Sequence, residues 1–305
     1  MFEGFEPRRL STQGTEINLR LGGSGPPVLL LHGYPQTHVC WHRVAPVLAE
    51  NFTVVIPDLR GYGDSGTPVS DAEHHAYAKR AMALDMIDVM AALGVDRFPV
   101  VGHDRGARVA YRMALDHPDK VTALMSLDVV PTLDMWEGTD KKRAIGAFHW
   151  PFLAQPAPLP EKMIGADPAF FAAWLMNSWT APDFEFDPPA MAEYLRCFVN
   201  PDVIRATCDD YRAGATIDHD LDQADLDAGK RIQCPVHFLW GAERGFGGPQ
   251  GGADPLAVWR RWADRVTGAP VDCGHFLPEE APETVVDHIR RFLPGSEGRI
   301  GRIIT

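Results

Sequence analysis

The chain has 305 residues, 45% of them apolar and 23% charged, which suits a folded globular protein built as one large domain or as a core with an insertion. Its formal net charge of −12 argues against nucleic acid or an anionic membrane as partner, and means that an anionic substrate would need local arginines. Cys40, Cys197, Cys208, Cys234 and Cys273 are odd in number and have no CxxC spacing, which argues against a zinc site or a disulfide framework.

The opening Met1-Phe2-Glu3-Gly4-Phe5-Glu6 has no basic region followed by an apolar run, and no stretch approaches 18 apolar residues. A cytoplasmic protein without a membrane span is expected. The first predicted strand is Pro27-Val28-Leu29-Leu30-Leu31, closed by His32-Gly33-Tyr34-Pro35-Gln36. A second covers 52–56 and runs into Asp58-Leu59-Arg60-Gly61-Tyr62-Gly63-Asp64-Ser65. Residues 81–93 have helical spacing, with Met82, Met86, Met90 and Leu93 on one face. A strand at 98–101 and a helix from Ala107 follow, then a buried strand at 121–127 that ends at Asp128.

After Val130 the alternation stops. Residues 131–230 are rich in Trp, Phe, Met, Pro and Asp, and strand pattern returns only at 235–240. Cys273-Gly274-His275-Phe276 and a terminal helix over 282–292 complete the pattern. Strands alternating with helices predict an α/β fold with a mostly parallel sheet flanked by helices. The break predicts a core made of 1–130 and 231–305 with an α-helical cap, 131–230, inserted between them. Residues 241–254 form a glycine-rich loop of no assigned role, expected to be mobile, and the tail 295–305 is expected to be loosely held.

The most informative segment is Gly102-His103-Asp104-Arg105-Gly106, between the strand at 98–101 and the helix. Strand, Gly-x-nucleophile-x-Gly, helix is the layout of the nucleophile elbow of α/β-hydrolases. Glycines are needed there because a Cβ at either site of so sharp a turn would clash. The nucleophile slot holds Asp104 where the esterase version holds Ser. A carboxylate is better suited to displacing a leaving group from saturated carbon. That leaves an ester on the enzyme, and its hydrolysis still needs a His base. His275 stands where a triad His is expected, last in chain order. The acid that orients it is Asp128 at a strand end, with Glu243 after the strand at 235–240 as the alternative. His103 is expected to be structural. Arg105 and Arg108 share a helix face near its N-terminus, where paired cations are unfavourable unless an anion joins them. Tyr34 and Arg105 are expected to offer backbone N–H groups as an oxyanion hole.

Over nearly its full length the chain resembles the α/β-hydrolase superfamily, and within it the fluoroacetate (haloacetate) dehalogenases. The resemblance rests on the elbow with Arg108, Asp128, the pair His149-Trp150, and Asp210-Tyr211-Arg212-Ala213-Gly214. It implies Asp104 as nucleophile, His275 as base and Asp128 as supporting acid. It further implies that Arg105 and Arg108 bind the substrate carboxylate, while His149, Trp150 and Tyr211 hold the departing halide. Read from the residues alone, an aromatic pair in an aromatic-rich segment would be packing, and Trp179 is packing by default with an entrance-lining role as the alternative.

The expected activity is hydrolysis of a 2-haloacetate, fluoroacetate foremost, to glycolate and halide. No metal and no organic cofactor is implied. The expected partner is a small anionic substrate, with a homodimer left open. Two competing readings stand beside it. An epoxide hydrolase would use the same elbow Asp with Tyr194 joining Tyr211, but would leave the two arginines unexplained. A non-catalytic binding protein on the same fold would leave the nucleophile, base and acid unused.

Overall fold

The structure is a computed structural model that describes residues 1–244 and 254–293. Eight strands form one sheet: β1 (Glu6–Ser11), β2 (Glu16–Gly22), β3 (Pro27–Leu31), β4 (Thr53–Pro57), β5 (Phe98–His103), β6 (Val121–Leu127), β7 (Val236–Gly241) and β8 (Val266–Val271). Their order across the sheet is β1-β2-β4-β3-β5-β6-β7-β8. β1 pairs antiparallel with β2, and β2 with β4, while β4 through β8 are parallel.

The parallel strands β3 to β6 are rich in apolar residues because both of their faces are covered. Successive side chains point to opposite faces. Leu29, Leu31 and Val100 therefore pack into one core with Met82, Met86 and Met90 of the helix Lys79–Ala92. Val28, Leu30 and Val101 pack into the other, with Trp41, Phe276 and the terminal helix Pro282–Phe292.

Strand order reverses around β3, which has β4 on one side and β5 on the other. A crevice opens at such a switch point beyond the carboxyl ends of the strands. His32-Gly33-Tyr34, Asp104, Asp128 and Gly241 all lie at those ends.

Eight helices, from Thr132–Glu137 to Ile217–Asp227, occupy the chain between β6 and β7. The strand expected at 52–56 is shifted by one residue to β4, with Phe52 packed in the core just before it. β5 runs on through Gly102 and His103, which pair with Ser126 and Leu127. β7 begins one residue after Pro235, which has no N–H to donate to a ladder. β1, β2 and β8 were not expected. Within the glycine-rich loop, 245–253 lie outside the described residues, as does the tail from 294.

Candidate active site

The elbow is built by close approach of backbone. A Cβ on Gly102 would stand 2.5 Å from the Cα of Ala107, and one on Gly106 would stand 2.4 Å from the His32 carbonyl oxygen. Asp104 itself has φ +45° and ψ −118°, outside the regions that L-residues favour, a strain of about 1–3 kcal/mol. The turn lifts the Asp104 carboxylate off the strand end. Its Oδ2 accepts from the Tyr34 backbone N–H at 2.8 Å. The Arg105 N–H opens the helix Arg105–Asp116, where the first amides have no intrahelical acceptor. Burial alone would raise the Asp104 pKa. The cationic groups around it, led by His275 and including Arg105 and Arg108, outweigh that and hold it below the usual carboxylate range.

His275 comes from the loop after β8. Its Nδ1 lies 2.6 Å from Asp128 Oδ2, while Asp128 Oδ1 accepts from the Gly241 N–H at 3.0 Å. An ionised Asp128 requires the proton on Nδ1, which leaves Nε2 free to accept one. Burial pushes the His275 pKa down, but the bond to Asp128 and the charges of Asp128, Asp104 and Glu280 carry it above the ordinary value. Glu243 is exposed two residues beyond β7, and its N–H donates to the Cys273 carbonyl. Asp128, not Glu243, stands against the imidazole. His103 donates from Nε2 to the His275 carbonyl at 2.8 Å, with its ring centroid 4.7 Å from that of His275. It is thus structural in a specific sense, as a support for the loop that carries His275.

Arg105 and Arg108 are both buried but differ in partners. Arg105 makes a forked pair with Asp210: Nε and NH2 donate to its carboxylate at 2.8 Å each, and NH2 also donates to its carbonyl. Lys79 Nζ and the Tyr62 hydroxyl donate to the same carboxylate. Burial would raise the Asp210 pKa, yet Arg105 and Lys79 hold it far below the ordinary range. Arg108 donates to the Val130 carbonyl at 2.8 Å and has no carboxylate partner among the described residues. Its guanidinium carbon lies 4.4 Å from the Trp150 ring centroid, while that of Arg105 lies 4.1 Å from the Tyr211 ring. Arg105 NH1 and Arg108 Nε are buried without hydrogen-bond partners.

His149 and Trp150 lie on the short helix His149–Leu153 and Tyr211 on the helix Pro201–Ala215. The His149 and Trp150 rings each pack edge-on against Tyr211 with centroids 5.7 Å away. His149 Nδ1 and the Tyr211 hydroxyl are also buried without partners. Burial takes the His149 pKa down to about 3, so at neutral pH the ring is uncharged and offers one N–H. Burial, with the Asp104 charge, raises the Tyr211 pKa well above the usual range, so its hydroxyl keeps its proton. Trp179 belongs here too, its ring 4.5 Å from His149 and 5.6 Å from His275. Tyr194 does not. Its hydroxyl donates to Glu279 at 3.0 Å and its ring packs against Phe186, in the other core.

Two contributors carried no sequence signal strong enough to single them out. Asp210 lies inside the segment that supports the resemblance, but its acid partnership with Arg105 spans 105 residues of chain. Glu280 holds three backbone amides, including both neighbours of His275. The arrangement combines a carboxylate nucleophile, an oriented imidazole base, backbone donors for an oxyanion, and unpartnered polar atoms on two buried arginines and two aromatic neighbours, His149 and Tyr211. It can carry out displacement by a carboxylate at a substrate that bears an anion.

Comparison with known proteins gives the family. Residues 26–282 match the family model of the alpha/beta hydrolase fold. The chain is 45% identical to a fluoroacetate dehalogenase of a Burkholderia species, over 99% of this chain and 97% of that protein. It is 34% identical to a soluble epoxide hydrolase of Corynebacterium sp. (strain C12), over 92% and 94% of the two chains. A solved structure from Nostoc sp PCC 7120, described as that of an alpha/beta hydrolase, superposes with a TM-score of 0.93 at 52% identity, covering 96% of this chain and 99% of the other.

Proposed function

The chain belongs to the α/β-hydrolase fold family, and from that premise we propose that it is a hydrolytic dehalogenase converting a 2-haloacetate, fluoroacetate foremost, to glycolate and halide. The observation that carries the reading is Arg108. A buried guanidinium without a carboxylate partner, one helical turn from the nucleophile and beside an unpartnered N–H of Arg105, carries a cost that a bound anion would offset. An epoxide has no such anion, and the second tyrosine that epoxide chemistry would need is committed elsewhere.

Arg105 and Arg108 orient the substrate carboxylate. Asp104 Oδ1 attacks the α-carbon as Oδ2 stays on the Tyr34 N–H. A C–O bond forms, the C–halogen bond breaks, and the halide takes the electron pair toward His149, Trp150 and Tyr211. Three neutral donors suit fluoride, the most strongly hydrated halide, as charge develops on it. His275 Nε2 then takes a proton from water, whose oxygen adds to Cγ of the Asp104 ester. The oxyanion is received by the Tyr34 and Arg105 N–H groups. Collapse breaks the Cγ–O bond to the glycolyl group, which receives the His275 proton. Asp104 is left as a carboxylic acid and returns to carboxylate by losing the second proton of that water. The helices over 131–230 act as the cap that closes this site. A cytoplasmic location fits five free buried cysteines, and a homodimer fits the exposed Met163, Phe170 and Trp174 on the cap.

The test is halide release measured with fluoroacetate and chloroacetate beside an epoxide. Halide should appear from the haloacetates. Diol from the epoxide with no halide from either acid would replace the reading. In a single turnover in H₂¹⁸O the label should enter Asp104, and label in the first glycolate would instead mean direct attack by water. His275→Asn should accumulate the ester, visible as added intact mass after haloacetate treatment.

A further inference from the structure

We propose that Glu280 is a positioning residue for His275, clipping the loop that carries the base onto the chain segment after the cap helix Pro168–Trp179, so that it serves ester hydrolysis and not halide displacement. The proposal rests on the dehalogenase reading. Glu280 Oε2 accepts from Gly274 N–H at 2.7 Å and from Ala181 N–H at 2.8 Å, and Oε1 accepts from Phe276 N–H at 2.8 Å. Gly274 and Phe276 are the two neighbours of His275 in the chain. His275 N–H in turn donates to the Trp179 carbonyl at 2.9 Å. A capping interaction of the short helix Leu277–Glu280 would account for the Phe276 bond. It does not account for Gly274, nor for Ala181, which lies 99 residues away. A Cβ on Gly274 would stand 2.5 Å from the Ala181 nitrogen, so the two segments meet at backbone contact.

The consequence falls on one half of the reaction. Displacement uses Asp104 and the donors around the substrate, and does not call on His275 to move a proton. Hydrolysis needs His275 Nε2 in reach of both a water and the ester, and misplacement of a reacting group by about 1 Å can cost about a hundredfold. The acidic groups around the imidazole are Asp128 at the end of β6, Asp104 on the elbow and Glu280, whose own pKa burial raises against the opposing pull of its three amide donors. The neutral His103 and His149 face it from β5 and the cap. Glu279 and Cys273 adjoin Glu280. Among these, Glu280 meets the His275 loop through backbone amides alone, those of Gly274 and Phe276, and ties them to Ala181. Its charge favours the imidazolium, so removing that charge should lower the His275 pKa and move the acid limb of ester hydrolysis to lower pH.

Glu280→Gln keeps an oxygen for two of the amides, places an NH₂ against the third and removes the charge, whereas Glu280→Ala removes the clip. The measurement is single-turnover chloride release from chloroacetate, followed in parallel with decay of the Asp104 adduct by quenched intact mass across pH. In Glu280→Gln, chloride release should keep its wild-type rate, adduct decay should slow by about tenfold, and its acid midpoint should move down. Glu280→Ala should slow decay by about a hundredfold. Glu280→Gln alone decides if Glu280→Ala does not fold. Adduct decay at the wild-type rate and midpoint, or equal slowing of both steps, would overturn the proposal. A His275→Asn enzyme that forms no adduct would instead overturn the dehalogenase reading itself.

Discussion

The two sides of the site treat their polar groups differently. On the sheet side, the acceptors are occupied before any substrate arrives: Asp104 Oδ2 by Tyr34, Asp128 by Gly241 and His275, Glu280 by three amides. Toward the cap, donors are buried and idle: Arg105 NH1, Arg108 Nε, the Tyr211 hydroxyl and the His149 ring. Buried polar groups are almost always partnered, so a cluster of exceptions marks a surface suited to a polar ligand. The covalent machinery is preorganised and the recognition surface is left incomplete. Damage to the first should slow turnover to the same degree whatever the substrate. Damage to the second should change which substrate is preferred.

The contrast breaks most sharply at Asp104. Asp104→Asn should fit the elbow, and halide release should fall by about four orders of magnitude or more for every haloacetate alike. A residual rate that differed by halide would mean that the cap donors contribute without the nucleophile.

Asp210 joins the two sides and should give the next largest effect, on stability. Asp210→Asn leaves Arg105 and Lys79 buried without their shared charge, a loss of about 3–5 kcal/mol, read as a lowered denaturation midpoint in urea. Asp210 is held below its ordinary pKa in the folded state. Its contribution is therefore full above the unfolded value and is lost only as pH falls well below the ordinary carboxylate range. A variant of unchanged midpoint would show that Arg105 finds another partner.

This division also decides what the sequence could reveal. The elbow, the buried runs of β3, β5 and β6, and the break after Val130 depend on local pattern, and each is legible within a few residues. β1 is a half exposed edge strand whose alternation is mixed, β2 beside it is a short run interrupted by polar residues, and β8, the other edge, is marked by a glycine and a proline that blur it. His275 could be read from chain order, but its support could not. Asp128 lies 147 residues away and His103 172. His149, Trp150 and Tyr211 could be singled out only through family resemblance, because one tyrosine, one tryptophan and one histidine amid many aromatics carry no spacing of their own.

Arg108 tests the recognition side directly. Arg108→Ala should raise KM for fluoroacetate and chloroacetate by the same factor, since both present the same carboxylate. Loss of a charge-assisted bond worth about 1.5–3 kcal/mol corresponds to roughly 10- to 150-fold. Because Arg108 also lies over Trp150, the variant removes some packing as well. Chloroacetamide, which has no charge, supplies the control. It should bind the two enzymes about equally, and an equal loss for the amide would assign the effect to packing.

The smallest effect is the most diagnostic. Trp150→Phe keeps an aromatic ring beneath Arg108 and beside Tyr211 and removes only the indole N–H. A hydrogen bond is worth about 1 kcal/mol, so the overall loss should be about fivefold. It should not be shared equally between substrates. Fluoride is the poorest leaving group of the two and draws more from each donor as charge develops on it, so fluoroacetate should suffer more than chloroacetate. The quantity to measure is the ratio of the two kcat/KM values in the variant against that in the wild type. A ratio shifted toward chloroacetate places the indole N–H on the departing halide and assigns discrimination to the cap. An unchanged ratio with a lowered kcat/KM would make Trp150 a platform for Arg108 alone, and the cap would then recognise the leaving group through His149 and Tyr211.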